Sequence, residues 1–368
     1  MNGAGARGGD LAGRWATARR ILCVRLDSLA GVLLSTPAMR ALHGAAPGRS
    51  LTLLGPPAGV AALPFIPELD DAIAARLPWP PDEALATTLA ARRFDAAIVF
   101  GACLQDARPA ARLCRRAGIP LCLAYRRDDG RDYGHGDGRG DTRYMPHHWI
   151  PDPEPTPMVR HEVQRQLALA RHAGCASADQ RLSFAPRQRD VDAVRGRLRA
   201  AGVDPGRPWL LLHPGAGAPA RAYPPAHWAR LLRLLARAPG WPLVLAGSAA
   251  QTPQVDGIAR AAGVPALSLA GRLGLGELGA ALQLATLAIA SHGAPAHIAA
   301  AVGTPLVDLY ALTEPHTTPW AVPNRVLFAD VPCRFCRSRA CPAGHHGCLD
   351  GVAPERVARA ALELLNLT

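Results

Sequence analysis

The chain has 368 residues, 49% hydrophobic and 19% charged, a globular composition long enough for two α/β domains rather than one core. Its formal net charge is +12, which suits anionic small molecules or a basic membrane-facing surface. Aromatics make up only 5% and the arginines are scattered, with no stacking-aromatic or helix-turn-helix signature, so nucleic acid is not the expected partner.

Residues 1–19 are expected as a flexible tail. Residues 1–20 lack the apolar core of a signal peptide, and no run of about 18 apolar residues occurs. The chain therefore reads as cytoplasmic, with peripheral contact at the inner face of the inner membrane compatible with its charge. Cys23, Cys103, Cys114, Cys122 and Cys175 lie in apolar or mixed surroundings and read as reduced thiols.

A strand at 21–26 (ILCVRL) leads through a turn-like DSLAG into a helical pattern at 36–43. Further strands are expected at 51–56 (LTLLGP), 94–101 (FDAAIVFG) and 120–125 (PLCLAY), the alternation of a parallel sheet. Residues 126–148 break it with Gly, Asp and Arg: a surface loop, or a flap over a ligand. A helix follows at 161–173, and the polar stretch 176–208 connects to the second half.

There the alternation restarts: strand and Gly-rich loop at 208–217 (PWLLLHPGAG), helix at 227–238, strand at 242–248, helix at 275–285. A strand, loop and helix follow at 287–303, a last strand at 305–311, and a helix at 354–367. The expected domains are 20–190 and 207–350, the second ending in a Cys-rich tail before the terminal helix. Ligands bind at the carboxyl ends of such strands.

Four elements carry chemistry. In the loop 213–217 (HPGAG), small residues let a backbone approach a ligand, and Arg221 beyond it suits a phosphate; a plain turn is the alternative. The segment 291–297 (SHGAPAH) starts a helix near Pro295 and exposes backbone N–H groups suited to a diphosphate. His297 lies one turn in, facing that ligand or satisfied in the core. In 25–31 (RLDSLAG), Asp27 is either a general base or a helix cap. Last, Cys333, Cys336, Cys341 and Cys348, with His345 and His346 among them, suit a structural zinc, reduced thiols or a disulfide.

In this order the elements resemble glycosyltransferase family 9, the ADP-heptose:lipopolysaccharide heptosyltransferases. RLDSLAGVLLSTPA is similar to the family's R-L-D-x-x-G-D-V-L-L-T-T-P-A. HEVQRQLAL, LLHPGAG, AYPPAHW, VLAGS, LAGRLGLGEL, HGAPAHIAAAVGTP and CRFCRSRACPAGHHGCLDGVAPERV follow in the family's order. The resemblance implies a GT-B fold, two Rossmann-like parallel-sheet domains facing a central cleft, the first holding acceptor and the second donor. It implies an inverting transfer from an ADP-sugar to a lipid-linked glycan, with no metal required for catalysis. A carboxylate would deprotonate the acceptor hydroxyl. Donor binding maps onto Gly215, Arg221, Gln251, His292, Gly293, Ala294 and His297.

Three positions depart from the family. Its catalytic aspartate falls at Gly31, its ribose-binding acid at Gln251, and the first residue of its D-[ST]-G-P-x-H at His292. Asp27 is one candidate replacement base. A proton path through the acceptor itself, Asp106 or a residue of 126–148 is the second account, and a catalytically impaired binding protein is the third.

Overall fold

The computed structural model describes residues 8–75, 83–102, 105–126, 148–151, 160–313 and 315–366. Cys103 and nearly all of the expected 126–148 flap lie outside them. The chain divides into two compact units, 1–180 and 181–368.

In the first unit α1 (Gly8–Thr17) precedes β1 (Arg20–Val24), α2 (Leu29–Gly44), β2 (Ser50–Gly55), α3 (Pro57–Val60) and β3 (Asp71–Ala74). Then come α4 (Glu83–Ala91), β4 (Ala96–Val99), α5 (Arg108–Arg116), β5 (Cys122–Arg126), β6 (His148–Pro151) and α6 (Glu162–His172). All pairings are parallel, in the order β3-β2-β1-β4-β5-β6. Leu22, Val24, Ala97 and Val99 of the central strands are buried in an apolar core shared with α4 and α5.

The expected flexible tail is corrected over its second half. Residues 8–17 form a helix because Trp15 can bury completely, and the Trp15 carbonyl accepts from Arg49 Nη2 at 2.6 Å.

The second unit runs α7 (Gln188–Ala200), β7 (Leu210–His213), α8 (Pro225–Arg237), β8 (Leu243–Leu245), α9 (Thr252–Ala262) and β9 (Leu267–Ser268). It continues with α10 (Leu275–Leu284), β10 (Leu287–Ser291), α11 (Ala294–Ala301), β11 (Leu306–Leu309), β12 (Asn324–Leu327), α12 (Gly347–Asp350) and α13 (Pro354–Leu364). Its parallel sheet has the order β12-β11-β10-β7-β8-β9, the same winding as the first. The strand expected to be last, β11, is followed by β12, whose mixed NRVL carries no continuous apolar run. The polar connection contains α7, which packs on α10 through Val194 and Leu198. Two such doubly wound sheets make the fold class α/β.

In both sheets the winding reverses between the first and fourth strands, β1/β4 and β7/β10. The loops leaving those carboxyl ends are where an open parallel sheet offers a ligand crevice. Among the described residues no helix is long and apolar enough to cross a membrane.

Candidate functional site

In the first unit the loop after β1 carries a buried charge cluster. Arg25, 2% exposed, donates from Nε to Asp27 Oδ1 at 2.5 Å and from Nη1 to Glu162 Oε1 at 2.7 Å. Glu162, the first residue of α6, also accepts from Gln166 Nε2 at 2.7 Å, with Arg165 Nη1 3.9 Å from its other oxygen. Burial opposes the Arg25 charge, but Asp27 and Glu162 outweigh it and raise its pKa. Burial likewise tends to raise the Glu162 carboxyl, and the Arg25 and Arg165 charges override it, leaving its pKa below the ordinary value. An enclosed, balanced set of this kind holds its geometry because removing any one partner strands a buried charge.

Asp27 is not the cap of α2. Ser28 takes that role, its Oγ accepting from Gly31 N at 3.1 Å. The Asp27 carboxylate turns back toward Arg25 and accepts from Ser28 Oγ at 3.0 Å, remaining 27% exposed. The helix tolerates Pro37 because Thr36 Oγ1 donates at 2.7 Å to the Leu33 carbonyl, the acceptor that proline, having no N–H, leaves without its helical donor.

Gly31 lies directly beneath this carboxylate. A Cβ built there would sit 2.5 Å from both Asp27 Oδ1 and Arg25 Nε, well inside van der Waals contact. The space into which any side chain at position 31 would start is therefore filled by the Asp27 carboxylate and its arginine.

Beside the loop, a small open pocket is lined by Val24, Leu26, Val99, Phe100 and Asp106, among others. The Asp106 carboxylate is engaged by Arg108, with Nε 2.8 Å from Oδ1 and the backbone N 2.9 Å from the same oxygen. Burial works to raise its pKa, and the Arg108 hydrogen bonds prevail and lower it.

In the second unit the loops after β7 and β10 meet, Ser291 Oγ donating to the Pro214 carbonyl at 3.4 Å. His213 ends β7, 6% exposed, and burial pushes its imidazole down to about 4, so it stays neutral near pH 7. A Cβ on Gly215 would overlap the Gln251 carboxamide, so glycine is what lets the β8 loop close onto the β7 loop. Gln251 Oε1 accepts from Ser248 N at 2.9 Å, committing that oxygen to the loop.

Gly293 caps α11, which starts at Ala294. His297 is fully buried, edge-on to His292 with ring centroids 5.3 Å apart. His292 Nδ1 lies 2.9 Å from Asp308 Oδ2, and both side chains are at most 4% exposed. The second oxygen, Asp308 Oδ1, has no hydrogen-bond partner among the described residues. Tyr310 stacks obliquely on His292 at 4.3 Å, and its hydroxyl, pushed up to about 12 by burial, meets Thr313 and Thr317 at 2.9 and 3.0 Å.

Arg221, on the short turn Pro219–Arg221, is half-buried, and its Nε has no hydrogen-bond partner among the described residues. Burial lowers its pKa; Tyr310 and Asp308 pull upward while the nearby Arg339 charge adds to the lowering. The structure thus gathers Gly215, Arg221, Gln251, His292, Gly293, Ala294 and His297 at the switch point of one sheet, with Asp27 at that of the other.

The cysteines Cys333, Cys336, Cys341 and Cys348 are all free thiols. Cys333 Sγ is 3.5 Å from His345 Nε2. Burial and then the charges of Cys341, Cys336 and Cys333 raise the Cys348 thiol, so the four are neighbours. Among the described residues no three His, Cys, Asp or Glu side chains are placed to hold a metal ion.

Sequence reasoning passed over Glu162, Asp308 and Arg339. A lone carboxylate in the otherwise apolar strand LVDL was a readable signal for Asp308. Glu162 and Arg339 reach their partners from 137 and 122 residues away, and no local pattern marks them.

The sequence model of glycosyltransferase family 9 (heptosyltransferase) matches residues 83–346. The chain is 31% identical over 151 residues to lipopolysaccharide heptosyltransferase 1 of Pseudomonas aeruginosa, covering 39% of this chain and 41% of that one. It is 31% identical over 169 residues to lipooligosaccharide heptosyltransferase 2 of Haemophilus influenzae, covering 44% and 47%. The chain thus spans less than half the length of each of these relatives. Among solved structures, a family 9 glycosyl transferase from Veillonella parvula superposes with a TM-score of 0.74 at 18% identity over 95% of this chain and 98% of that one. ADP-heptose lps heptosyltransferase II of E. coli gives 0.69 at 22% identity over 94% and 98%. Both are likenesses of fold.

Proposed function

The chain belongs to glycosyltransferase family 9, and from that premise we propose that it is an inverting glycosyltransferase that moves heptose or a related sugar from an ADP-sugar. The acceptor is a lipopolysaccharide core or a related lipid-linked glycan. The observation that carries the reading is the Asp27 carboxylate held over Gly31, in the space where the family's aspartate would begin. In this chain the base has moved along the loop, and Arg25 and Glu162 fix its position. The partly exposed Asp27 takes the acceptor proton as the hydroxyl attacks the anomeric carbon. Leu26 and the pocket beside it offer the acceptor an apolar wall.

On the donor side, the Arg221 guanidinium and the N–H groups at the start of α11 receive the diphosphate that leaves. Charge-assisted donors at a developing anion are where such a site gains most of its rate. The chemistry calls for no metal. A zinc at Cys333, Cys336, Cys341 and Cys348 would be structural, and its thiolates would have to rotate toward one point; metal analysis of protein purified without added zinc decides it.

A donor screen with purified protein and lipopolysaccharide acceptors, products read by mass spectrometry, tests the function. Sugar transfer with release of ADP is the expected result. A second reading, a binding protein that no longer catalyses, draws on the Arg25 pairing that engages Asp27. It predicts ADP-sugar binding by calorimetry without turnover at any enzyme concentration.

A further inference from the structure

Arg339 lies in the Cys-rich segment, 118 residues beyond Arg221 in the chain (339 − 221), yet it is built into the β7 loop. Its carbonyl accepts from Ala220 N at 3.1 Å, and its Nη2 donates to the Gly217 carbonyl at 3.2 Å. Two residues earlier, Arg337 N donates to the Leu312 carbonyl at 2.7 Å. The segment is thereby pinned to the loops after β7 and β11, which flank the switch point.

The result is two guanidinium groups within electrostatic reach of each other. Among the described residues, neither forms an ion pair with a carboxylate, whereas Arg25, Arg40, Arg92, Arg108, Arg116, Arg197, Arg230 and Arg325 all do. Like charges held together without a counter-ion repel, and a fold keeps them so where an anion completes the set. Among the described residues the carboxylate that acts on Arg221 is Asp308, and it is directed to His292. Among the described residues the buried Arg221 Nε has no acceptor, and Arg339 is an exposed residue.

We propose that Arg339 is a second phosphate-binding residue of the donor site, closing with Arg221 on the two phosphates of a nucleoside diphosphate. The inference rests on the donor reading of this loop and extends it to a residue of the Cys-rich segment. That segment then serves binding: it carries a cation to the β7 loop that the loop's own small residues cannot supply. Two guanidiniums also suit two phosphates better than one, since each can present a planar pair of donors to a separate phosphate.

Calorimetry on the full-length protein with ADP, AMP and inorganic pyrophosphate tests this. Arg339→Gln is expected to weaken ADP and pyrophosphate by about tenfold or more, AMP by less, and to flatten the salt dependence of ADP binding. Arg339→Lys is expected to recover part of the loss, because it restores charge but not the planar fork. A merely structural Arg339 would weaken AMP and ADP alike and gain nothing from lysine; that pattern overturns the proposal. Unchanged ADP affinity in Arg339→Gln, with a clear loss in Arg221→Gln, also overturns it and leaves the donor reading intact. Pyrophosphate binding that depends on both arginines, in a protein that transfers no sugar, upholds this proposal while the transferase reading falls. Absence of ADP and pyrophosphate binding to the wild type removes both.

Discussion

In the N-terminal unit Arg25 is enclosed by two carboxylates, Asp27 and Glu162, whereas in the C-terminal unit Arg221 and Arg339 feel each other's charge with no carboxylate among the described residues bridging them. The two sheets wind identically, so the contrast comes from the loops at their switch points. A paired, buried cluster is rigid before any ligand arrives and suits a group that must be aimed. An unpaired cationic set is electrostatically incomplete and suits a group that must be received. On the proposed function, one scaffold, used twice, divides into a half that positions a base and a half that awaits an anion.

The sharpest way to break this contrast is at Asp27. Asp27→Asn keeps the shape and removes the base, so transfer should fall by about 10²–10⁴-fold, measured as ADP release, with the circular dichroism spectrum unchanged. Next in size is the buried pair. Glu162→Ala strands the Arg25 charge and should cost about 3–5 kcal/mol of stability in denaturant titration. The parallel change in the other unit, Arg221→Gln, should leave stability nearly untouched while weakening ADP about ten- to a hundredfold in calorimetry.

Acid should separate the units as well. His213 is held neutral at about 4 against an ordinary 6.5, so below pH 6.5 the unfolded chain binds a proton that the folded chain refuses. Stability from this group is complete above 6.5 and is lost as pH falls toward about 4, by up to about 3 kcal/mol. Glu162, depressed below its ordinary 4.5, keeps its contribution above that value and loses it only at lower pH. Thermal melts between pH 7 and 4 should show the loss in wild type and a smaller one in His213→Gln. The smallest effect is at Gly31: Gly31→Ala pushes a methyl into Asp27 and Arg25, costing about 1–3 kcal/mol by thermal melting.

Much of the fold was legible because buried parallel strands are written as short apolar runs: ILCV, LTLLG, LLLH and LAIAS each became a strand. Strands β3, β6, β9 and β12, the edges of the two sheets, escaped because edge strands such as DAIA and NRVL need only partial burial and carry polar residues. The loops that hold the candidate site were also legible, since strand, small residues and helix are contiguous in sequence. The charge partners were not. Arg25 with Glu162 and Arg339 with Gly217 are tertiary pairings, set by how distant elements pack rather than by any local spacing. Sequence showed that Gly31 lacks a carboxylate; only the packing showed that the Asp27 carboxylate fills the space above it.

On the proposed function, the carboxylate that serves as base stands at position 27 rather than 31. The most direct measurement compares ADP release by Asp27→Ser with that by the double variant Asp27→Ser/Gly31→Asp, using the donor found by the screen. A loss of about a hundredfold or more is expected in the single variant and at least a tenfold recovery in the double, where removing the Asp27 carboxylate clears its share of the space above position 31 and aspartate 31 takes its place beside Arg25, whose Nε must give way. Wild-type ADP release from Asp27→Ser would contradict this placement of the base.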